Sequence, residues 1–406
     1  MGLVKHQWME EEERGWSTND DYYVCDECVE DHYLKHIILQ NVTSDTCSFC
    51  DRTSDEDIAA PLDDLMEVIA SAVYYRFNEP TDAGVPWDEG YPTIDPTDTS
   101  DVLMSLPLDC HDSLFETIAN SFHNDSWVST AGGHWSSSHP HQILSGSWNN
   151  FVHTVKYETR YHFHQAPISE YADMEEFSPA YMLPTIGKLV TQTNLIKSLP
   201  TELSLFRVRV RTDSEDWEPN SKEMGAPPNQ KTRAGRMNPA GISYLYTALD
   251  SQTAIAETVS SPPVKVVIAR FQTTRELTVI DLSDLPEIPS IFDKEQREIR
   301  EGLLFLTSFI ENISHPVKKD GSEHIEYVPS QVVSEYFAQT FKPTVNGIIY
   351  PSAVRPGGKN LVLFPKNNLF EHTFDMVTYT TSEIKMLQNW STLTDAINNV
   401  SAYESF

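Results

Sequence analysis

Two cysteine pairs, Cys25-Asp26-Glu27-Cys28 and Cys47-Ser48-Phe49-Cys50, constrain this chain more than any other feature, because four thiols at such spacing specify one small structure. A two-residue gap lets both sulfurs of a turn face one ion, and the intervening loop returns the second pair to the opposite corners of a tetrahedron. Cys25, Cys28, Cys47 and Cys50 are therefore expected to hold a structural zinc ion. His32 and His36 lie between the pairs, but four cysteines already complete the shell. Such a closed site staples a fold and leaves no open position for catalysis. A short acidic segment, residues 1–57, could hardly bury enough surface to fold without it.

The rest of the chain is large enough for further domains: 406 residues exceed one core of ordinary size. A formal charge of −31 disfavours nucleic acid as the main partner, since that role relies on Lys and Arg neutralising phosphates. No apolar run is long enough to span a bilayer, and the start leads into Glu10 to Glu13 instead of a signal core, so a cytoplasmic protein is expected.

From Pro61 the apolar spacing turns helical: Leu62, Leu65, Met66, Ile69, Val73 and Tyr74 form one face. A loop is expected from Asn78 to Thr99, and helices at Ser113–Ser121, Asn149–Gln165 and Leu183–Thr201. His134, His139 and His141 have no recurring metal spacing and no evident acid partner, so they read as surface histidines on a loop. Beyond Pro200 the pattern becomes mixed. Leu203–Arg211 alternates apolar and basic residues like a strand, with strands also expected at Val264–Phe271, Leu277–Asp281, Gly347–Tyr350 and Asn360–Phe364. Helices are expected at Lys294–Ile310, Ser330–Phe341 and Ser382–Asn399.

Within this α+β half, Gly235-Arg236-Met237-Asn238-Pro239-Ala240-Gly241 runs into Tyr244-Leu245-Tyr246 and Ala254-Ile255-Ala256-Glu257. A Gly- and Pro-bearing loop with a fixed cation, a strand ending in tyrosine and a helix carrying a carboxylate make a site for an anionic ligand. Further on stand Ile348-Ile349-Tyr350-Pro351-Ser352-Ala353 and Asn360-Leu361-Val362-Leu363-Phe364-Pro365. In order and spacing these blocks resemble the RES domain family, with Met237 where many members have Trp or Phe. The cysteine-bearing helical region ahead resembles the HEPN/RES N-terminal domain. Nucleolytic HEPN domains carry Arg and His four to six residues apart; here Arg160 and His164 have only three residues between them, and no ribonuclease chemistry is assigned.

The resemblance implies an ADP-ribosyltransferase-like fold that consumes NAD. Glu257, Arg236, Tyr246 and Ser352 are then the catalytic candidates, and Arg207, Arg209, Arg236, Tyr246 and Asn238 the NAD-binding ones. Arg207 and Arg209 share a strand face, so either or both fit the pyrophosphate. The expected architecture is multidomain: a zinc module at 1–57, a mainly α-helical HEPN-like domain at 58–200, an α+β RES domain at 201–370 and a helical tail at 371–406. Cleavage of the nicotinamide–ribose bond by water or phosphate, as a bacterial toxin or anti-phage effector, is the leading expectation. Transfer of ADP-ribose to a protein or nucleic acid, and a non-catalytic NAD-sensing adaptor, are the alternatives. A cognate antitoxin or an autoinhibiting amino-terminal half is expected, and a homo-oligomer is admitted.

Overall fold

The computed structural model describes residues 12–19, 21–166, 175–211, 218–260, 264–317 and 321–365, together with the backbone of the strand Phe374–Ile384. The chain forms two compact units: Met1–Ile143 with Glu287–Leu304, and Leu144–Pro286 with Phe305–Phe406.

In the first unit the strand Tyr23–Cys25 pairs antiparallel with Ala59–Pro61, which closes the cysteine-bearing loop at its base. Helix α1, His32–Gln40, begins at Asp31, whose carboxylate accepts from the amides of Tyr33 and Leu34. Helix α2, Leu62–Arg76, opens with Asp63 and Asp64 in its first turn and closes on Arg76, matching charge to the helix dipole at both ends. Its apolar face, from Leu62 to Val73, joins Leu34, Ile38 and Trp127 in one buried core. Asp112–Ser121 forms α3, and between the strand Phe77–Asn78 and a short helix at Thr99–Ser105 runs a loop interrupted by the small hairpin Trp87–Asp88/Tyr91–Pro92.

The histidine stretch departs from expectation. Helix α4, Pro140–His153, starts inside it, because proline suits a first helical turn where no amide partner exists. His139 is 6% exposed rather than a surface residue, and burial, with Arg76 nearby, lowers its pKa to about 4. His141 does have an acid partner: its Nδ1 lies 2.5 Å from Glu301 Oε2, while Arg76 Nη2 lies 3.1 Å from Oε1. Burial pushes the Glu301 carboxyl up, but the His141 hydrogen bond and the Arg76 charge outweigh it and hold the pKa at about 2. The partner stands 160 residues along the chain, outside any local pattern.

The second unit is built on an eight-stranded mixed sheet. Its strands are β1 Ile196–Leu199, β2 Ser204–Arg211, β3 Leu245–Ala248, β4 Val264–Thr273, β5 Leu277–Asp281, β6 Gly347–Pro351, β7 Lys359–Leu363 and β8 Phe374–Ile384. Their order across the sheet is β8-β4-β2-β3-β7-β6-β5-β1, with only β5 and β6 parallel. One face buries Leu205, Leu245, Val267, Ala269, Ile349 and Leu361; the other packs Val208, Ala248 and Val266 against the helix α6, Ser251–Thr258.

Three element expectations change here. The helix expected at Leu183–Thr201 is α5, Pro179–Gln192, and it stops because Asn194 takes a left-handed φ of 56°. Asparagine tolerates that conformation, and the chain leaves as β1. The helix expected at Asn149–Gln165 gives way at Thr154–Glu158 to a wider turn, with a short 3₁₀ turn at Phe163–Gln165. Ser382–Ile384 belongs to β8, not to a helix, since Val377-Thr378-Tyr379-Thr380-Thr381 before it favours an extended chain that pairs with β4. Residues 385–399 of that expected helix lie outside the described residues. Helix α7, Arg297–Ser314, follows a 3₁₀ turn at Lys294–Gln296, and α8 is Val328–Gln339.

Candidate active site

Strand register sets the floor of the site. Tyr350 of β6 faces Asn360 of β7, Asn360 faces Ala248 of β3, and Ala248 faces Phe206 of β2. Directly paired residues share a sheet face, so these four make one row across four strands. A cavity of about 590 Å³ borders the row, within the range that holds small ligands. Strands β2 and β3 are in register at Phe206 and Ala248 alone, and the cavity borders Phe206, Arg207 and Val208 in succession. Successive strand residues point to opposite faces, so a cavity that borders all three runs along an edge where the two strands part.

Helix α6 places Glu257 over this floor. Asp250 caps the helix, accepting from the Thr253 amide at 2.8 Å and the Thr253 hydroxyl at 2.7 Å. Arg355, in the loop after β6, stitches that start in place through Asp250 at 3.3 Å, Thr253 at 2.9 Å and Gln252 at 2.7 Å. Near the helix end, Glu257 Oε1 accepts from the Ser352 hydroxyl at 2.7 Å and from Asn360 Nδ2 at 2.6 Å. The Ser352 oxygen in turn accepts from the amides of Val354 and Arg355 at 3.3 and 3.1 Å, so its proton is directed to the carboxylate. Glu257 Oε2 makes no hydrogen bond among the described residues.

Of the two arginines left open on β2, Arg207 borders the cavity, and its Nη1 lies 3.5 Å from the Tyr246 carbonyl. Burial, with Arg209 close by, lowers its pKa to about 10, and no carboxylate pairs with it among the described residues. Arg209 is turned away. Its Nη1 donates to the carbonyl of Glu223 and lies 3.5 Å from the same residue's carboxylate, on the helical turn Ser221–Met224.

Arg236 also borders the cavity, yet one amino group is committed: Nη1 donates to the carbonyls of Ile313 and His315 at 2.8 and 2.9 Å. A cation there complements the negative end of α7. Its guanidinium also lies 5.4 Å from the centre of the Tyr327 ring. Tyr246 borders the cavity with its hydroxyl occupied, donating to Asn238 Oδ1 at 2.8 Å and accepting from the Met237 amide at 2.9 Å. Burial pushes its phenol well up, so it stays protonated.

Asn238 does not border the cavity. It is 2% exposed, and its amide donates to the carbonyls of Arg233, Pro239 and Ile242. Its place is inside the loop, holding the loop's shape. Helix α8 grips the same loop from outside: Gln331 and Ser330 donate to the carbonyls of Gly235 and Arg236 at 2.7 and 2.5 Å, and Ser334 donates to that of Met237. Gly235 is required at this point because an added Cβ would lie 2.7 Å from Asn238 Oδ1 and 2.9 Å from the Tyr246 hydroxyl.

Tyr350 and Asn360 stand in the sequence blocks that carry the resemblance but, like Arg355, are not among the expected site residues. The available signal was Asn360, a polar residue between Lys359 and the apolar run Leu361–Leu363, whose interior position leaves it only 5% exposed.

In the first unit the four predicted metal ligands do converge. Ligand atoms of Cys25, Cys28, Cys47 and Cys50 all lie within 4.8 Å of one another, with sulfur separations of 3.5 to 3.7 Å along the contacts Cys25–Cys50, Cys28–Cys47 and Cys25–Cys28. Four sulfurs around a tetrahedral zinc would stand about 3.8 Å apart, so the cluster fits that ion. The Cys25 amide points at Cys47 Sγ across 3.4 Å, the kind of donor that offsets thiolate charge.

No curated protein matches the chain. Residues 40–168 match HEPN/RES N-terminal domain 1, and residues 204–378 match the RES domain, which takes in the whole cavity. A RES domain suggests NAD-related activity. On these two matches, which fall in the order the sequence motifs follow, the chain belongs to the RES family with a HEPN/RES region ahead of its RES domain.

Proposed function

We propose that this chain degrades NAD by cleaving the bond between nicotinamide and ribose, in an ADP-ribosyltransferase-like pocket, with water or phosphate as the acceptor. One observation carries the reading: a single cavity joins Arg207, a half-buried cation without a carboxylate partner among the described residues, to Glu257, a carboxylate pinned by two donors. A desolvated guanidinium calls for an anion, and a pyrophosphate supplies one. As the C–N bond breaks, its electron pair passes to the nicotinamide nitrogen and neutralises the pyridinium. Positive charge then develops on the sugar carbon and ring oxygen, where a fixed carboxylate lowers the barrier. The acceptor oxygen bonds to that carbon and gives up its proton.

In this reading Ser352 orients Glu257, Tyr246 offers its ring to the cationic nicotinamide, and Arg236 adds its charge while bracing the loop. Asn238 and Arg209 support the walls without touching ligand. Residues 201–370 carry the chemistry, and the four thiols hold a structural zinc within 1–57. The amino-terminal half, or a cognate antitoxin or other partner, is the means of restraint for a cytoplasmic toxin or defence effector.

Purified protein incubated with NAD, with and without phosphate, should release nicotinamide. Replacing Glu257 with Gln should lower the rate roughly 100- to 1,000-fold. Equal release by wild type and variant in both buffers would remove the proposal.

A further inference from the structure

Tyr350 is the remaining polar side chain of the floor row, and the site described above gives it no task. It is 7% exposed, borders the cavity, and its hydroxyl makes no hydrogen bond among the described residues. Its oxygen is not sealed in the interior, so it is open to a partner held in the cavity. Burial raises its pKa well above the ordinary tyrosine value, with Tyr246 and Glu257 adding to the rise, so the group remains a neutral donor throughout the usable pH range.

Its neighbours indicate what it faces. Tyr350 stands directly opposite Asn360, and Asn360 holds the carboxylate oxygen of Glu257 at 2.6 Å. Two residues further along the chain, Ser352 holds the same oxygen at 2.7 Å. Hence Tyr350 stands on the sheet beside the residues that hold Glu257, near enough for the carboxylate's charge to act on its phenol.

The geometry points to Tyr350 as a ligand-binding residue that donates its hydroxyl hydrogen to a hydroxyl oxygen of the nicotinamide-side ribose. This inference rests on the NAD-cleaving reading and deepens it by fixing which part of the ligand the sheet floor reads. Sugar held between Glu257 above and Tyr350 below is oriented from both sides, and a ligand with no oxygen there loses one contact.

The variant Tyr350→Phe removes a single oxygen and keeps the ring, so its melting temperature should match that of wild type. Nicotinamide release is measured for both proteins with NAD and with two NAD analogues lacking the 2′- or the 3′-hydroxyl of that ribose. With NAD, kcat/KM should fall about tenfold in the variant. With one of the two analogues the difference should shrink to less than about twofold, because the partner oxygen is already absent. If wild type binds NAD without turning it over, the same comparison is read in Kd.

Unchanged kcat/KM in the variant with NAD overturns the role of Tyr350 and leaves NAD cleavage standing. A loss retained in full on both analogues overturns the sugar as its partner. Failure of wild type both to bind and to cleave NAD removes the parent reading, and this inference with it.

Discussion

Asn360 donates its side-chain amide to Glu257 across 2.6 Å, joining two residues 103 positions apart. The same carboxylate oxygen takes the Ser352 hydroxyl, so rotation of Glu257 would break two charge-assisted bonds at once. Precision of that kind is of use only to a carboxylate whose position matters.

Replacing Asn360 tests this grip. Asn360→Ala leaves Ser352 as the sole donor and should lower kcat for nicotinamide release about tenfold, with KM changed by less than about threefold. Asn360→Asp sets a second carboxylate against Glu257 and disfavours ionisation of the pair, so the acid limb of the pH–rate profile should move to higher pH. An acid limb identical to that of wild type would show that Asn360 does not govern Glu257.

Arg207 should trade stability for binding. Its folded-state pKa, about 10, lies below the unfolded value, so the unfolded chain holds the proton more tightly and the charged side chain costs stability at neutral pH. Arg207→Met should therefore raise unfolding free energy by on the order of 1 kcal/mol, after discounting for partial solvent contact, while abolishing NAD binding. Urea unfolding and calorimetric titration with NAD measure the two effects separately. A variant that is both less stable and still able to bind would contradict the assignment.

Acid should weaken the first unit from below about pH 6.5. His139 has a folded-state pKa near 4, so between 4 and 6.5 the unfolded chain binds the extra proton and stability falls as pH falls. From pH 7 to 5 the loss should be roughly 2 kcal/mol. Glu301, held at about 2, adds its own loss only as pH drops below its unfolded value near 4.5. Denaturant melts of wild type and His139→Gln at pH 7 and pH 5 check this: the variant should show the smaller difference.

Metal removal should act on the first unit alone. The full chain should contain one zinc per molecule by elemental analysis, and Cys47→Ser should lose it along with protection from proteolysis around residues 23–61. NAD turnover in the second unit should persist. Loss of turnover in step with zinc would assign the metal a role in the chemistry.

What could be read from the sequence was local. Cys25, Cys28, Cys47 and Cys50 declared themselves by spacing, and β5 appeared between its expected ends because an alternating apolar pattern needs no distant partner. Arg207 and Arg209 shared a strand face but parted in use, since the turn that engages Arg209 carries no signal of its target. Asn238 entered the NAD-binding set through the motif it stands in, which does not say which way its amide faces. Its burial depends on three carbonyls of the folded loop, which exist as a set only after folding. The Ser330, Gln331 and Ser334 contacts came from 94 to 97 residues downstream, and Glu301 reached His141 over a longer span still. Such pairings are products of topology, and no window of sequence contains them.

The Gly235–Gly241 loop, tied internally by Asn238 and externally by α8, spends its hydrogen bonds on itself before any ligand arrives. An arriving molecule therefore meets a wall already set, and little ordering entropy remains to be lost along that side. The kinetic signature is a single-exponential association whose observed rate rises linearly with ligand concentration, without the plateau that a slow rearrangement of the loop would impose.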